Sequence, residues 1–261
     1  MTTPPETLVE MRGVKFQFAG QAVLQSVNLS VIPQETLVIM GQSGSGKSTL
    51  LRLLLGVLKA EAGSIRFKDK EITQLPRPEL NRIRARIGMV YQDAALLSSM
   101  SAGKNIALPL EELSDKKPKE IDSIVDQKLE LVGLKDVKEK LPAELSGGMK
   151  KRVGLARALA LEPELILFDE PSAGLDPINA MLINDLIVDL REKHKVTSIV
   201  VTHEMQSAFA VATRMAMLHE GTIIEEGSPD EFRQSTNPVV SKFLSAYTGH
   251  SKESPHANSQ K

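Results

Sequence analysis

The sequence predicts an α/β fold: a parallel-sheet core interrupted by a helical insertion. Three observations carry that prediction. A continuous apolar run, Thr36 to Met40, leads into a glycine-rich loop and an apolar helical stretch, Ser48 to Leu58. A second apolar run, Leu165 to Phe168, ends in two acids, Asp169 and Glu170. Between these patterns, residues 93–161 change texture and read as helical and highly charged. Alternating strands and helices pack as a parallel sheet covered by helices.

Each element has its own signal. Leu8-Val9 and Val14 to Phe18 are two short β-prone runs, and Val27, Leu29 and Val31 alternate with polar residues. Thr36 to Met40 is apolar throughout, as in a fully buried strand. Ser48 to Leu58 is apolar nearly all round, as in a buried helix. Ile65 to Phe67 and Ile87 to Tyr91 are further strands. The charge between Glu111 and Lys140 reads as a solvated helix face. Strands return at Leu165 to Phe168, Ser198 to Thr202, Met215 to His219 and Thr222 to Glu226. Ile183, Leu186, Ile187 and Leu190 give Ile178 to Lys193 one apolar helix face. Ser228-Pro229-Asp230-Glu231 is a helix start, and Val239 to Tyr247 a last short helix.

These boundaries predict one domain over 1–249. Its core is 7–92 with 162–228, its helical subdomain 93–161, and its terminal helices 229–247. The polar tail, 250–261, is expected to be disordered.

Composition narrows the function. The chain has 261 residues, 32 Lys+Arg against 33 Asp+Glu, and no cysteine. Near-zero net charge argues against general nucleic-acid binding, which draws on a basic excess. Zero cysteine excludes disulfides, thiolate metal sites and a cysteine nucleophile. No stretch approaches the ~20 apolar residues of a bilayer span, and the N-terminus lacks a signal-peptide pattern. The chain is therefore expected to be soluble by itself.

Gly41-Gln42-Ser43-Gly44-Ser45-Gly46-Lys47-Ser48-Thr49 matches the phosphate-loop pattern. Glycines let backbone N–H groups converge on phosphate oxygens, and the following helix aims its positive end at the same anion. Lys47 would reach the β- and γ-phosphates, and Ser48 would bind Mg²⁺. Asp169 and Glu170 should lie at a strand's C-terminal end, in the crevice where α/β ligands bind. Asp169 suits a Mg²⁺ site. Glu170 suits a base for attack on a γ-phosphate.

Leu145-Ser146-Gly147-Gly148-Met149 opens a helix shortly before the acidic strand. With this segment, the sequence resembles the ATP-binding cassette (ABC) family of transport ATPases, whose signature is LSGG. The resemblance covers about residues 7–247. It implies a P-loop NTPase (RecA-like) core with an antiparallel β subdomain and an inserted α-helical subdomain. Gln92 resembles the Q-loop glutamine, a Mg²⁺ and catalytic residue. Ser172 to Asp176 resembles the D-loop, and His203 the catalytic switch histidine. Phe18, 23 residues before Gly41, stands where the family carries an adenine-stacking aromatic, and Phe16 competes for that role.

The resemblance also implies ATP and Mg²⁺ as cofactors. It implies a homodimer in which Ser146, Gly147, Gly148 and Asp176 serve the partner's nucleotide, and an integral membrane permease. Met149 replaces the family's usual Gln. The run from Leu145 to Pro177 resembles the Mla- and MCE-linked lipid transporters. That implies phospholipid transport and a location on the cytoplasmic face of the inner membrane. The implied partners are a permease (MlaE-like), an MCE-domain substrate-binding protein (MlaD-like) and a STAS-domain protein (MlaB-like). Ala94, Ala95, Leu96, Leu97 and Met100 are expected to form an apolar patch for the permease.

Overall fold

The computed structural model describes residues 7–249. The predicted tail, 250–261, lies outside the described residues. The first sheet is antiparallel, in the order β2-β1-β4-β5. Its strands are β1 (Val9–Phe18), β2 (Gln21–Val31), β4 (Ala62–Phe67) and β5 (Lys70–Glu71). The second sheet contains β3 (Thr36–Met40), β6 (Ile87–Val90), β7 (Leu165–Asp169), β8 (Thr197–Thr202), β9 (Arg214–His219) and β10 (Thr222–Gly227). Its order is β10-β9-β3-β8-β7-β6. All neighbours are parallel except β10, which returns antiparallel from β9 through Glu220 and Gly221. Both turn residues have positive φ, as a two-residue hairpin turn that follows strand twist requires.

The parallel sheet is buried on both faces, and its residues divide by alternation. Val38, Met40, Ile166, Phe168 and Val200 point into one core, with the helical subdomain. Leu37, Ile39, Leu165, Leu167, Ile199 and Val201 point into the other, with the first helix and the antiparallel sheet. This is the period-two geometry of a strand between two apolar layers. It explains why the sequence shows continuous apolar runs instead of alternation.

The helices are α1 (Lys47–Leu54), α2 (Arg77–Arg84), α3 (Ala102–Leu113), α4 (Pro118–Leu131), α5 (Gly147–Ala158), α6 (Pro177–Glu192), α7 (Met205–Val211), α8 (Pro229–Arg233) and α9 (Pro238–Gly249). Charged residues of α4 lie outside while Ile121, Val125 and Leu129 are buried, as expected for a solvated face. Among the described residues, no helix is long and apolar enough to cross a membrane.

Several boundaries differ from expectation for identifiable reasons. The two runs before Phe18 form one strand, irregular in pairing around Gly13 (φ 56°). The helix expected to reach Leu58 stops at Leu54, because Gly56 adopts φ 61°. The Gly56 N–H then donates to Leu53 O (2.9 Å) and the Val57 N–H to Arg52 O (2.9 Å), a Schellman end. The helices α2 and α7 had no clear sequence signal; each is short, and α2 buries only Ile83. The expected apolar patch divides. Ala94 is buried against Gly154, Leu96 packs on the core, and Ala95 and Leu97 remain exposed.

Candidate nucleotide site

Parallel register brings the chemical residues to one edge. Met40 is level with Thr202, Asp169 with Val201, and Val90 with Phe168. The segments that follow β3, β6, β7 and β8 therefore emerge together. They carry Gly41 to Thr49, Gln92, Glu170 and His203.

The loop after β3 has little room for side chains. A Cβ on Gly41 would collide with Leu218 O, and one on Gly46 would lie 2.9 Å from Leu24 Cδ2. Gly46 also has φ 103°, a conformation that favours glycine, where α1 begins. Gln42, Ser43 and Gly44 are exposed, Ser45 and Thr49 are half-buried, and Ser45 Oγ has no hydrogen-bond partner. Lys47 is buried, and its Nζ donates to Gly41 O (2.8 Å) and Gln42 O (3.0 Å). Burial lowers the Lys47 pKa, opposed by the nearby Glu170 and Asp169 carboxylates.

Ser48 Oγ donates to Asp169 Oδ1 at 2.9 Å. Burial raises the Asp169 pKa; the Ser48 bond opposes the shift and Glu170 adds to it. Hydroxyl and carboxylate together are hard oxygen donors suited to Mg²⁺, which keeps several waters and phosphate oxygens as its other ligands. Among the described residues, no three His, Cys, Asp or Glu side chains form a metal cage. A two-ligand site completed by phosphate and water fits this arrangement.

Glu170 is buried and sits just past β7 with φ 50°. Its Oε2 accepts from Thr202 Oγ1 (2.9 Å) and from the His203 N–H (3.3 Å). His203 Nδ1 lies 2.8 Å from Glu170 Oε1. With Glu170 ionised, Nδ1 carries the proton, and Nε2 is available to another partner.

The remaining predicted residues lie around this centre. Gln92 is exposed just beyond β6. Phe18 is 69% exposed at the β1–β2 turn, whereas Phe16 is 9% exposed and belongs to the core. That hairpin reaches the phosphate loop, because Val23 and Leu24 flank Gly46. Ser146 caps α5, its Oγ accepting from the Met149 N–H (3.3 Å), and Gly147 and Gly148 open the helix. Asp176 caps α6 by accepting from Ile178 and Asn179 N–H groups (3.1 and 3.0 Å). Within one chain it is therefore a helix cap. The hydrogen bonds from Asn179, side chain first, lower its pKa.

Sequence reasoning missed three supporting residues. Thr202 fixes Glu170. Glu204 accepts from Ser172 Oγ and from Ser207 Oγ (3.2 Å). Lys151 is buried and reaches the segment after Glu170. None has a local sequence signal, because the elements they join lie far apart along the chain.

Comparison with known proteins identifies the family. The family model described as "ABC transporter" matches residues 24–173. A "Methionine import ATP-binding protein MetN" from Brucella abortus is 43% identical over 249 residues, covering 94% of this chain and 67% of the relative. A "Probable ribonucleotide transport ATP-binding protein mkl" from Mycobacterium leprae is 40% identical over 241 residues, covering 92% and 70%. Among solved structures, a dimeric ATP-binding cassette in a post-hydrolysis state with ADP and Pi has TM-score 0.78 and 31% identity, covering 85% of this chain and 98% of that one. The cbiO1 cassette from Clostridium perfringens, part of an ABC transporter complex, has TM-score 0.81 and 30% identity, covering 95% and 100%. ABC cassettes bind ATP with Mg²⁺, hydrolyse it, and work as dimers with membrane permease components. The matched sequence, the shared fold and the phosphate-loop geometry lead to one conclusion: this chain belongs to the ABC transporter family, as an ATP-hydrolysing, ATP-binding subunit.

Proposed function

We propose that the chain powers movement of phospholipid, or a related hydrophobic substrate, across a bacterial envelope. In this reading two copies close on ATP at the cytoplasmic face of the inner membrane, below two copies of a permease. Lys47 and the loop amides would hold phosphates, and Ser48, Asp169 and Gln92 would hold Mg²⁺. Bound Mg²⁺ neutralises charge developing on the phosphates. Glu170, oriented by Thr202 and His203, takes the proton of the attacking water. Phe18 stacks on adenine. Ser146, Gly147, Gly148 and Asp176 complete the partner's site.

The juxtaposition of Ser48, Asp169, Glu170 and His203 at one sheet edge carries the hydrolytic reading. Sequence carries the lipid reading, through the run from Leu145 to Pro177 with Met149 after the signature. A groove of about 400 Å³ supports permease docking; Tyr91, Ala95, Leu108, Pro109, Leu113 and Arg157 contribute to its lining. It is largely apolar and lies beside the segment that carries Gln92, so an inserted permease helix would contact both.

A second reading, uptake of a small polar molecule such as an amino acid, is favoured by the Brucella relative, a methionine import ATP-binding protein. Capture of the full chain with its permease from native membranes separates the two. Co-purified MCE-domain and STAS-domain proteins, with bound phospholipid, are expected. An amino-acid-binding protein in their place would overturn the lipid reading.

A further inference from the structure

We infer that Lys151 is a positioning residue: it ties the signature helix to the segment carrying Glu170, so that the part serving the partner's nucleotide and the part serving the chain's own move as one. Lys151 lies in α5, five residues after Ser146. Its side chain is buried, and its Nζ donates to Pro171 O (2.9 Å), Ala173 O (2.6 Å) and, more weakly, Glu170 O (3.4 Å). An ammonium has three donors and no acceptor, so three carbonyls match its capacity. Burial lowers its pKa, opposed by Asp93, Glu204 and Glu170 nearby. Those charges belong to the segments after β6, β8 and β7. One cation on α5 thus stands among the acidic residues of three loops.

The loop it reaches is set in a demanding conformation. Glu170 has φ 50°, costly for a residue with a Cβ. The backbone then turns back through Ala173 N–H to Glu170 O (3.2 Å) and Leu175 N–H to Ser172 O (3.1 Å). These turns converge carbonyls that would repel one another without a cation. Lys151 satisfies them, holding both the Glu170 backbone and the stretch leading to Asp176. A rigid link from signature to Glu170 would make nucleotide capture by one chain felt at its own carboxylate.

This inference rests on Glu170 being the catalytic carboxylate of the proposed function. The test compares Lys151→Met, which keeps length but has no donor, with Lys151→Gln, which restores two. ATP affinity, kcat, and hydrogen exchange over 170–176 are measured on the full chain. For Lys151→Met, unchanged ATP affinity, a kcat loss of about 100-fold and faster exchange at Ala173 and Leu175 are expected. Lys151→Gln should recover part of both losses. A Met variant with kcat within about threefold of wild type, or with unchanged exchange over 170–176, would overturn the inference. So would Met and Gln variants equally impaired in kcat and exchange. If Glu170→Gln hydrolyses ATP normally, the catalytic reading fails, while the exchange result still tests the tie itself.

Discussion

Asp169 sits half-buried at the C-terminal end of β7. Its pKa is raised mainly by burial, so its charged form is disfavoured in the folded chain. A carboxyl raised by folding stabilises at pH below its unfolded value, and that contribution is lost as pH rises through the folded value. Near neutral pH the ionised group is therefore a net cost until a cation arrives. Asp169→Asn should raise the Tm of the nucleotide-free chain at pH 7, while abolishing Mg²⁺-dependent hydrolysis. Calorimetry and a phosphate-release assay check the two halves. At the same scale, Lys47→Ala should lower ATP affinity by about tenfold or more, read by nucleotide titration. The identities of these residues were legible because each belongs to a spaced motif. The exposure of Phe18 and burial of Phe16 were not, because the β1–β2 register shifts between Phe16 and Gln17 and β4 pairs with β1 only as far as Lys15.

At the scale of elements, the close approach of α5 to α6 depends on Gly148. A Cβ there would overlap the Asn179 side chain. That side chain is fixed, since its Nδ2 donates to Asp176 Oδ2 at 2.6 Å. Gly148→Ala should therefore reduce ATPase turnover more than it reduces Tm, and Asn179→Ala in the same chain should restore part of the loss. Turnover and calorimetry on the three variants measure this. Buried strands were readable from sequence as unbroken apolar runs, and the Ser228 cap of α8 from its local pattern. The end of α1 was misplaced because apolar residues continue past Gly56, and the left-handed backbone there overrides them. The ties that matter most were invisible: Lys151 meets Ala173, and Arg157 donates to Ala94 and Ala95 carbonyls (both 2.7 Å), across long chain separations.

At the scale of the molecule, two faces lead outward. The apolar groove exposes Leu113, which is 54% accessible. Leu113→Glu should leave ATP affinity of the isolated chain unchanged and abolish stimulation by the permease, measured after reconstitution together. The other face carries the start of α5 with Ser146. Under the proposed function this signature serves the partner's nucleotide, and the Lys151 tie links it to the chain's own Glu170 segment.

In the proposed function each working site draws on two chains. Ser146→Arg would spoil the signature and leave the phosphate loop intact; Lys47→Ala would do the reverse. Each variant alone should be inactive. Mixed in equal amounts, half of the dimers are hybrids and each hybrid holds one intact site of two, so about a quarter of the wild-type rate is expected. A mixture no faster than either variant alone would contradict the shared site.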